Sequence, residues 1–385
     1  LLFIYLGIAT LYIFIFAVAG VFRYKTKVVK NEAKNKFAVL IPGYKEDAVI
    51  IDVANEATKQ NYPKELFDII IIADSFKKET LKKLNELPIK VIEVAFELST
   101  KSKALNKAMA QLPDDYNVAV ILDADNVMEN DFLAKLNSAF AKGFIGVQGH
   151  RTAKNVNSSF AILDAISEEI NNHIFRKGHR VLGLSSAIIG SGMAFKYDFF
   201  KTLMSDVHAI GGFDKEIELK MMRDGHKIEY LKDAYVYDEK VSKSQTFSNQ
   251  RRRWLSAQFH YFANYFPESI WHLITKANLD YFNKAFQMFQ PPRVLLLGFL
   301  PILTIIAFIV NPIFQNPISF SFVWFYVTIA CFIAITISIP NKYFNNKTLR
   351  AVLSLPKGII LMFLSLINIK GANKKFIHTE HGKTE

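Results

Sequence analysis

Cysteine is almost absent from this chain of 385 residues, in which Cys331 is the only one. A single thiol cannot form a disulfide within the chain, and it cannot supply the several thiolates of a cysteine metal cluster. The sequence also contains no internal repeat and no low-complexity tract. These absences exclude a disulfide-stabilised domain, a cysteine-bound metal centre and a repeat architecture.

Charged side chains are absent from residues 1–22, a stretch long enough to cross a hydrocarbon core of about 30 Å. A signal peptide has a shorter apolar region with charges in front of it, whereas here the lysines follow, in residues 23–35. We predict a transmembrane helix over 1–22 and a basic cytoplasmic linker over 23–35, by the positive-inside rule. Because the chain begins with Leu, we expect some N-terminal sequence to be missing.

Two more long apolar runs lie near the C terminus, over 294–310 and 320–339. Basic residues precede the first and follow the second, which predicts a transmembrane hairpin with both ends in the cytoplasm. Two buried core helices are disfavoured, because soluble cores rarely contain such long uncharged windows. The apolar run within 349–369 is short for a span and predicts an interfacial or re-entrant helix. Residues 261–293 are predicted to be an interfacial amphipathic segment, and residues 370–385 a basic cytoplasmic tail.

The formal net charge of +12 does not require a nucleic-acid partner. Much of the lysine excess flanks the predicted membrane segments, where anionic lipid headgroups attract it. We therefore predict a multi-pass protein of the plasma (inner) membrane, with the lipid bilayer as a partner and the soluble domain in the cytoplasm.

The soluble region, residues 36–260, alternates between predicted strands and helices. Its short, continuously apolar runs are typical of strands buried on both faces, and they cover residues 36–44, 67–75, 89–95 and 118–125. A helix is predicted over 100–112, with Ser99 or Thr100 as its N-cap. Such alternation predicts an α/β domain with a mainly parallel sheet and right-handed crossovers.

Acidic side chains follow three of these predicted strands. Glu46 comes after the first and Asp74 near the end of the second, whereas Asp123 and Asp125 end the fourth. Ligands of open parallel sheets gather outside the carboxyl ends of the strands. Each acid alone could be a turn or cap residue, but together they would repel unless a cation or a donor-rich ligand lay among them. A hard divalent cation with phosphate oxygens in its shell fits this pattern.

Six motifs resemble those of family 2 glycosyltransferases, in the membrane-integral processive branch with cellulose, hyaluronan and poly-N-acetylglucosamine synthases. They are "FAVLIPGYKED", "IIIIADS", "KSKALN", "LDAD", "GSGMAF" and "QRRRW". The resemblance covers residues 36–260. It implies the nucleotide-sugar-binding GT-A fold, with a mixed, mainly parallel sheet flanked by transmembrane helices. It also implies inverting transfer of a sugar from a nucleotide-sugar, expected to be a UDP-sugar, to a growing polysaccharide.

The resemblance implies a donor site at the strand ends. Asp74 would bind the base or ribose end of the nucleotide, and Glu46 is a further nucleotide-sugar-binding candidate. Lys101 would lie near the nucleotide, and Asn106 would brace the same loop.

The diphosphate side of the site follows from two motifs of the resemblance. Asp123 and Asp125 match the D-x-D pair and would bind the diphosphate through Mg²⁺ or Mn²⁺, which acts as a Lewis acid on the leaving group. Gln250 and Arg253 would donate to the same oxygens. Arg251 and Arg252 fit a juxtamembrane basic patch. The same patch is the alternative role for Arg253.

The general base is less obvious, because the acidic pair usual in the family is broken in "GGFDKEIELKMMRDG". Asp214 and Glu216 are both candidates. Asp214 precedes Gly225 by 11 residues and Gln250 by 36, the spacings of the family, whereas Glu216 precedes Gly225 by only nine. We therefore predict Asp214 as the base, with Phe213 in the place of the usual Glu; the alternative is that Asp214 merely caps a helix.

Acceptor binding is assigned to Trp254, whose indole can pack against a sugar face while its N–H donates. An interfacial membrane anchor is the alternative role for this Trp. The floor under the acceptor is expected to contain Gly190, Ser191 and Gly192. Gln148 and Arg151 match a further family element.

Three broader alternatives stay open at this point. The protein could transfer a single sugar to a membrane lipid, which the "QRRRW" motif disfavours. It could instead be a catalytically impaired scaffold subunit, which the broken acidic pair permits but the intact D-x-D and "QRRRW" motifs oppose. His378 and Thr379 lie in a segment that resembles a gating tail, but a plain basic tail is an equal alternative. Because three spans can hardly enclose a channel for a polymer, export would require self-association, a membrane partner or further N-terminal spans that this sequence lacks.

Overall fold

The computed structural model describes residues 1–24, 33–207, 209, 211–240 and 244–368. Within these ranges the chain forms eight β-strands. They are β1 (Phe37–Tyr44), β2 (Phe67–Asp74), β3 (Lys90–Val94), β4 (Val118–Ile121), β5 (Val127–Met128), β6 (Gly146–Ala153), β7 (Met193–Lys196) and β8 (Ile228–Asp238).

The α-helices are numbered in chain order. They are α1 (Leu2–Val21), α2 (Ile50–Ala57), α3 (Lys78–Asn85), α4 (Lys101–Met109), α5 (Phe132–Phe140), α6 (Ser159–Asn171), α7 (His179–Val181), α8 (Tyr197–Ser205), α9 (Phe213–Arg223), α10 (Ser244–Lys276), α11 (Leu279–Gln287), α12 (Arg293–Ile313), α13 (Ser319–Ile337), α14 (Asn346–Val352) and α15 (Leu355–Ile367). A π-helical segment, Asn172–Gly178, joins α6 to α7, and short 3₁₀ turns cover Lys64–Leu66 and Asn341–Tyr343.

The strands form one mixed sheet in the order β3-β2-β1-β4-β7-β6-β8-β5. Strands β3, β2, β1 and β4 pair in parallel, and so do β6 and β8, whereas β7 is antiparallel to both of its neighbours and β5 to β8. The central strands are buried on both faces: Leu40 packs into the core on one side of the sheet and Ile41 into the core on the other. This burial explains why the sequence of β1 is apolar throughout.

Two predicted elements end earlier than the sequence suggested. Strand β4 ends at Ile121, so Asp123 and Asp125 lie in the turn that follows it, where the Asn126 N–H donates to the Asp123 carbonyl (3.1 Å). The helix predicted over 100–112 ends at Met109. Its start agrees with the prediction, because the Thr100 hydroxyl accepts a hydrogen bond from the Lys103 N–H (3.2 Å).

Three helices, α1, α12 and α13, are long and apolar enough to cross a membrane. Helices α14 and α15 pass the same test as a pair bent by 46°, which would make a fourth crossing if they form one span. This bent pair lies where the sequence predicts an interfacial or re-entrant helix. These candidate membrane crossings are inferred from the length and the composition of the helices.

Helix α10 runs through the domain boundary that the sequence placed at residue 260. The next helix, α11, lies within the predicted interfacial segment, but its Tyr281 and Ala285 are fully buried in the core on the α4 and α9 side of the sheet. The segment after residue 260 is therefore packed onto the α/β domain. A local hydrophobic pattern does not reveal this packing, because the partners of α11 are distant in sequence.

Helix α1 packs closely against the π-helical segment and against α7, which begins at His179. The Phe16 ring stacks on the His179 imidazole at 3.8 Å between centroids, and the Tyr12 hydroxyl contacts His179 Nε2 at 3.1 Å. Gly178 is essential for this approach, since a Cβ atom there would overlap the carbonyl oxygen of Phe16. The first apolar helix is thereby fixed to the α/β domain.

We expect Gly178→Ala to destabilise the protein by about 1–3 kcal/mol, because the added methyl group would push α1 away from the π-helical segment. Thermal unfolding of the purified protein in detergent measures this effect. The matched control is Gly7→Ala in α1, where an added Cβ meets no atom within 4 Å. Equal melting temperatures for the two variants would contradict the proposed close packing.

Candidate active site

The strand-end candidate residues lie at the carboxyl ends of the parallel strands, as the sequence pattern predicted. The register pairs Tyr44 at the end of β1 with Asp74 at the end of β2. Asp74 is 2% exposed, and its carboxylate accepts a hydrogen bond from the Ser75 hydroxyl (2.9 Å). Glu46 is half-buried in the turn after β1. Both acids thus border the cleft on the side of β1 and β2.

Asp123 lies between two cationic side chains. The Lys101 amine donates to its carboxylate and also to the Gly190 carbonyl (2.7 Å). On the other side, Arg151 Nη1 is 3.9 Å from Asp123 Oδ2. The Asp123 side chain is 36% exposed, which leaves it accessible to a ligand in the cleft. Asn106 lies on the same helix as Lys101 and donates to the Met204 carbonyl (2.9 Å), so it braces α4 against α8.

Asp125 is more deeply buried, at 6% exposure. Its Oδ1 accepts a hydrogen bond from the side-chain amide of Asn126 (2.9 Å). The same amide donates to Asp238 (3.0 Å), which ends β8. The sequence analysis missed both Asn126 and Asp238. Asp238 could have been found by its position at the end of a strand, because the same criterion identified the other acids.

The loop that contains Gly190, Ser191 and Gly192 forms the floor of the cleft. Gly190 and Gly192 have φ values of +78° and +62°, which favour glycine. Gln148 is fully buried and holds this floor loop: its amide donates to the carbonyls of Ser191 (3.0 Å) and Gly192 (3.1 Å). The Ile189 N–H donates back to the Gln148 side-chain oxygen (3.1 Å). These bonds give the Gln148 of the family element a structural role.

Asp214 lies beside the floor loop, in the first turn of α9. A Cβ atom added to Gly190 would be 3.8 Å from Cβ and Cγ of Asp214. Within the described ranges, no side chain forms a hydrogen bond or an ion pair with the Asp214 carboxylate. Glu216 differs, because its carboxylate pairs with Lys220 (3.0 Å). Of the two candidate bases, Asp214 is the one that faces the cleft.

Phe213 replaces the acid usual in the family, and it contributes an aromatic surface. Its ring lies 5.3 Å from the Lys101 amine. One turn further along α9, Glu218 forms a buried ion pair with Lys284 of α11 (2.6 Å) and accepts a hydrogen bond from the Ile188 N–H (3.3 Å). Burial raises the pKa of Glu218, although Lys284 opposes the shift. Helix α9 is thus bonded to the floor loop.

Helix α10 contains the "QRRRW" residues and packs against α9. Its Ala257 packs on the start of α9, where a Cβ atom on Gly212 would lie 3.0 Å from that of Ala257. Gln250, Arg253 and Trp254 share one face of α10 by their spacing. Burial lowers the pKa of the Arg253 guanidinium. Trp254 is 38% exposed. The Arg251 guanidinium lies over the Trp254 ring, at 4.4 Å from the ring centroid.

A buried charge cluster links the D-x-D turn to α6. Glu168 of α6 pairs with Arg151 (2.9 Å) and Arg176 (3.1 Å), and Asp238 pairs with Lys240 (2.6 Å). Burial alone would raise the pKa of Glu168, but these cations and Lys240 hold it far below its usual range. Only Arg151 was a candidate from the sequence, because the other partners come together through tertiary contacts.

The donor set at the D-x-D turn fits a hard divalent cation only together with a ligand. Among the described residues, no three His, Cys, Asp or Glu side chains are grouped to hold a metal ion. Asp123 and Asp125 offer two carboxylates, and such cations are commonly bound by one or two carboxylates with substrate phosphates and water. These two residues would therefore hold the metal together with a diphosphate.

Comparison with known proteins decides the family. Residues 34–257 match the family model described as "Glycosyltransferase like family 2". The chain belongs to this glycosyltransferase family. The enzyme class predicted from the sequence is thereby confirmed.

Curated relatives of this glycosyltransferase are about a quarter identical to it over the aligned residues. It is 24% identical over 253 residues to a beta-monoglucosyldiacylglycerol synthase of Trichormus variabilis, which covers 62% of this chain and 51% of the relative. It is 23% identical over 236 residues to the probable glycosyltransferase YdaM of Bacillus subtilis, with 57% of this chain and 54% of the relative covered. The chain thus spans about half the length of these relatives.

A solved structure supports the predicted GT-A-like fold of the glycosyltransferase. The mannosyltransferase PcManGT from Pyrobaculum calidifontis, in complex with GDP-Man and Mn²⁺, superimposes with a TM-score of 0.53. The match covers 85% of this chain and 94% of the other at 17% identity. This likeness confirms the fold class, and the processive branch stays a prediction.

Proposed function

We propose that this glycosyltransferase moves a sugar, with inversion, from a nucleoside-diphosphate sugar to a hydroxyl group at the membrane surface. The observation that carries the proposal is the convergence of Asp123, Lys101, the Gly190 loop and Asp214 in one cleft. Asp123 and Lys101 would provide the diphosphate site, the Gly190 loop the floor and Asp214 the base. A UDP-sugar, as the resemblance implies, is the expected donor.

Donor binding is assigned to the strand ends. Asp74 and Glu46 border the part of the cleft next to β1 and β2, where the nucleoside would lie. Asp123 and Asp125 would hold Mg²⁺ or Mn²⁺, and the bound metal would offset the charge of the leaving diphosphate. Lys101 would donate to the same diphosphate once it exchanges its contact with Asp123. Gln250 and Arg253 of α10 would add fixed donors.

Asp214 would act as the general base. The acceptor oxygen attacks the anomeric carbon while the bond from that carbon to the diphosphate oxygen breaks, and the bonding electrons leave with the diphosphate. The hydroxyl proton passes to the Asp214 carboxylate. This role is supported by the place of Asp214 beside Gly190, whereas Lys220 already engages Glu216.

The acceptor side of the cleft adjoins the apolar helices. Leu255, which follows Trp254, packs with Leu295 of α12 and Met362 of α15. Arg252 donates to the carbonyl of Asn368, just after α15 (2.9 Å). An acceptor that stacks on Trp254 would therefore lie at the bilayer surface, with the catalytic domain in the cytoplasm and the helices in the plasma (inner) membrane.

A membrane lipid or lipid-linked glycan is the acceptor that this packing favours. Helices α1, α12 and α13 share one apolar core, with Leu6, Leu300 and Ala334 buried in it. A polymer channel would have to pass beside this packed core. A growing polysaccharide, which the resemblance implies, is the second candidate, and its export would require self-association, a membrane partner or further N-terminal spans. The gating residues His378 and Thr379 lie outside the described residues.

Asp125→Asn should abolish both sugar transfer and its dependence on divalent metal, because it removes a charged oxygen from the proposed metal site. Transfer is measured with Mg²⁺ and with Mn²⁺ as release of the nucleoside diphosphate. The control is Asp114→Asn, which makes the same change at a carboxylate that is 74% exposed and outside the proposed site. Normal metal-dependent transfer by Asp125→Asn would show that the metal lies elsewhere.

Asp214→Asn should lower kcat by about 10²- to 10⁴-fold while donor affinity stays nearly unchanged, because a base acts on the acceptor. Glu216→Gln should cost far less, since its partner Lys220 can still donate a hydrogen bond to the amide oxygen. Steady-state kinetics together with donor titration measure both effects. The opposite ranking would make Glu216 the base.

Product analysis tests the acceptor. The purified protein, shown to be monomeric in lipid vesicles, is supplied with a panel of UDP-sugars and Mg²⁺. We expect masses that correspond to a single sugar, or a few, on a lipid. A ladder of long polymer would contradict the lipid proposal, and polymer protected in the vesicle lumen of the monomer would also contradict the need for a partner.

A further inference from the structure

Asn126 follows the D-x-D pair directly, yet the sequence pattern gives it no role. It is fully buried, with 0% exposure, at the end of a cleft that is otherwise lined by charged side chains. A buried side-chain amide is costly unless its donors and its acceptor are satisfied. All of these groups of Asn126 are satisfied, each by a part of the candidate site.

The amide nitrogen of Asn126 separates two carboxylates. It donates to Asp125 Oδ1 (2.9 Å) and to Asp238 Oδ1 (3.0 Å). Asp238 is held from its other side by Lys240 (2.6 Å). The two N–H donors of Asn126 thus keep a proposed metal ligand and a second acid in fixed positions.

The amide oxygen of Asn126 connects to the floor loop. It accepts a hydrogen bond from the Ser191 hydroxyl (2.6 Å), and that hydroxyl accepts one from the Asp123 backbone N–H (2.9 Å). Ser191 is itself fully buried. The D-x-D turn and the floor loop are therefore joined by a continuous path from Asp123 through Ser191 to Asn126.

Only an amide satisfies all these partners at this position. A carboxylate of the same shape would direct an oxygen at the oxygens of Asp125 and Asp238. An apolar side chain would leave both of these acids and the Ser191 hydroxyl without a partner that Asn126 now provides. The choice of Asn follows from the hydrogen-bonding capacity of its neighbours.

We propose that Asn126 is a positioning residue that couples the orientation of Asp125 to the floor loop and to Asp238. The inference rests on the proposed function, because it takes Asp125 as a metal ligand and Ser191 as part of the acceptor floor. Loss of the Asn126 amide would loosen both at once. Partners that orient ligands in this way typically contribute 10- to 100-fold to metal affinity.

The test compares Asn126→Ala with Asn137→Ala, the same change at another buried Asn. Asn137 bonds to Asn35 (2.9 and 2.7 Å) and Ala33 (3.2 Å), before the start of β1 and thus at the opposite end of the sheet. Binding of Mn²⁺ in the presence of UDP is followed by electron paramagnetic resonance, without turnover. We expect Asn126→Ala to weaken Mn²⁺ binding by about tenfold or more, and Asn137→Ala to leave it unchanged.

A second variant, Ser191→Ala, removes only the link to the floor loop. It should raise the acceptor KM in the same direction as Asn126→Ala, and the double variant should cost less than the sum of the single variants, because both act on one path. If Asn126→Ala does not fold, Ser191→Ala alone still tests the coupling, because it breaks the same path: weaker Mn²⁺ binding in the presence of UDP supports it, and unchanged Mn²⁺ binding overturns it. Strictly additive effects would overturn the coupling.

The outcomes separate this inference from the proposed function. Equal Mn²⁺ affinity for Asn126→Ala and Asn137→Ala would overturn the inference, while loss of Mn²⁺ binding in Asp125→Asn would still support the metal site. If Asp125→Asn bound Mn²⁺ as tightly as the unaltered protein, the proposed metal site would fail first, and the role of Asn126 toward Asp125 would fail with it.

Discussion

Carboxylates gathered at one end of a buried sheet repel one another unless cations or hydrogen-bond donors lie between them. The site depends on this constraint. Asp123 is flanked by Lys101 and Arg151, and an amide separates Asp125 from Asp238. Each acid therefore keeps a defined direction, and a bound metal and diphosphate would meet a prearranged set of oxygens instead of a flexible acidic loop.

Ion pairs of buried cations also connect the cleft to the neighbouring helices. Arg151 lies between Asp123 and Glu168 of α6 and pairs with both. Arg176 of the π-helical segment also pairs with Glu168. The π-helical segment in turn receives α1, at the close contact of Gly178 with Phe16. The apolar N-terminal helix is thus connected to the proposed catalytic centre by packed and hydrogen-bonded groups. For a glycosyltransferase that acts on a membrane acceptor, this connection would fix the height of the cleft relative to the bilayer.

The floor loop unites the two proposed halves of the reaction. Gln148 and Ser191 tie it to the sheet and to the D-x-D turn, and Glu218 ties it to the helix of Asp214. The donor side and the base are therefore positioned against one short segment with two left-handed glycines. Such rigidity suits a reaction in which the acceptor oxygen must approach the anomeric carbon along one direction.

The sequence by itself determined the features that depend on neighbours along the chain. Apolar runs predicted β1, β2 and β3, the acids after them located the cleft, and the spacing to Gly225 selected Asp214 over Glu216, although its role as base is still a prediction. The motif series also predicted the family and the GT-A-like fold, and both are confirmed. The predicted fourth strand was too long, because the turn after Ile121 is formed by hydrogen bonds that an apolar pattern does not encode.

Tertiary structure alone decided which distant residues complete the site. Asn126 meets Ser191 across 65 residues and Asp238 across 112, and each of these polar residues looks ordinary in its own segment. The packing of α11 into the core and of Leu255 against α12 and α15 was equally hidden. Periodicity reports only whether a residue faces a core or water. The identity of its partner depends on the order of the strands and on the path of the chain between them, which only the folded protein fixes.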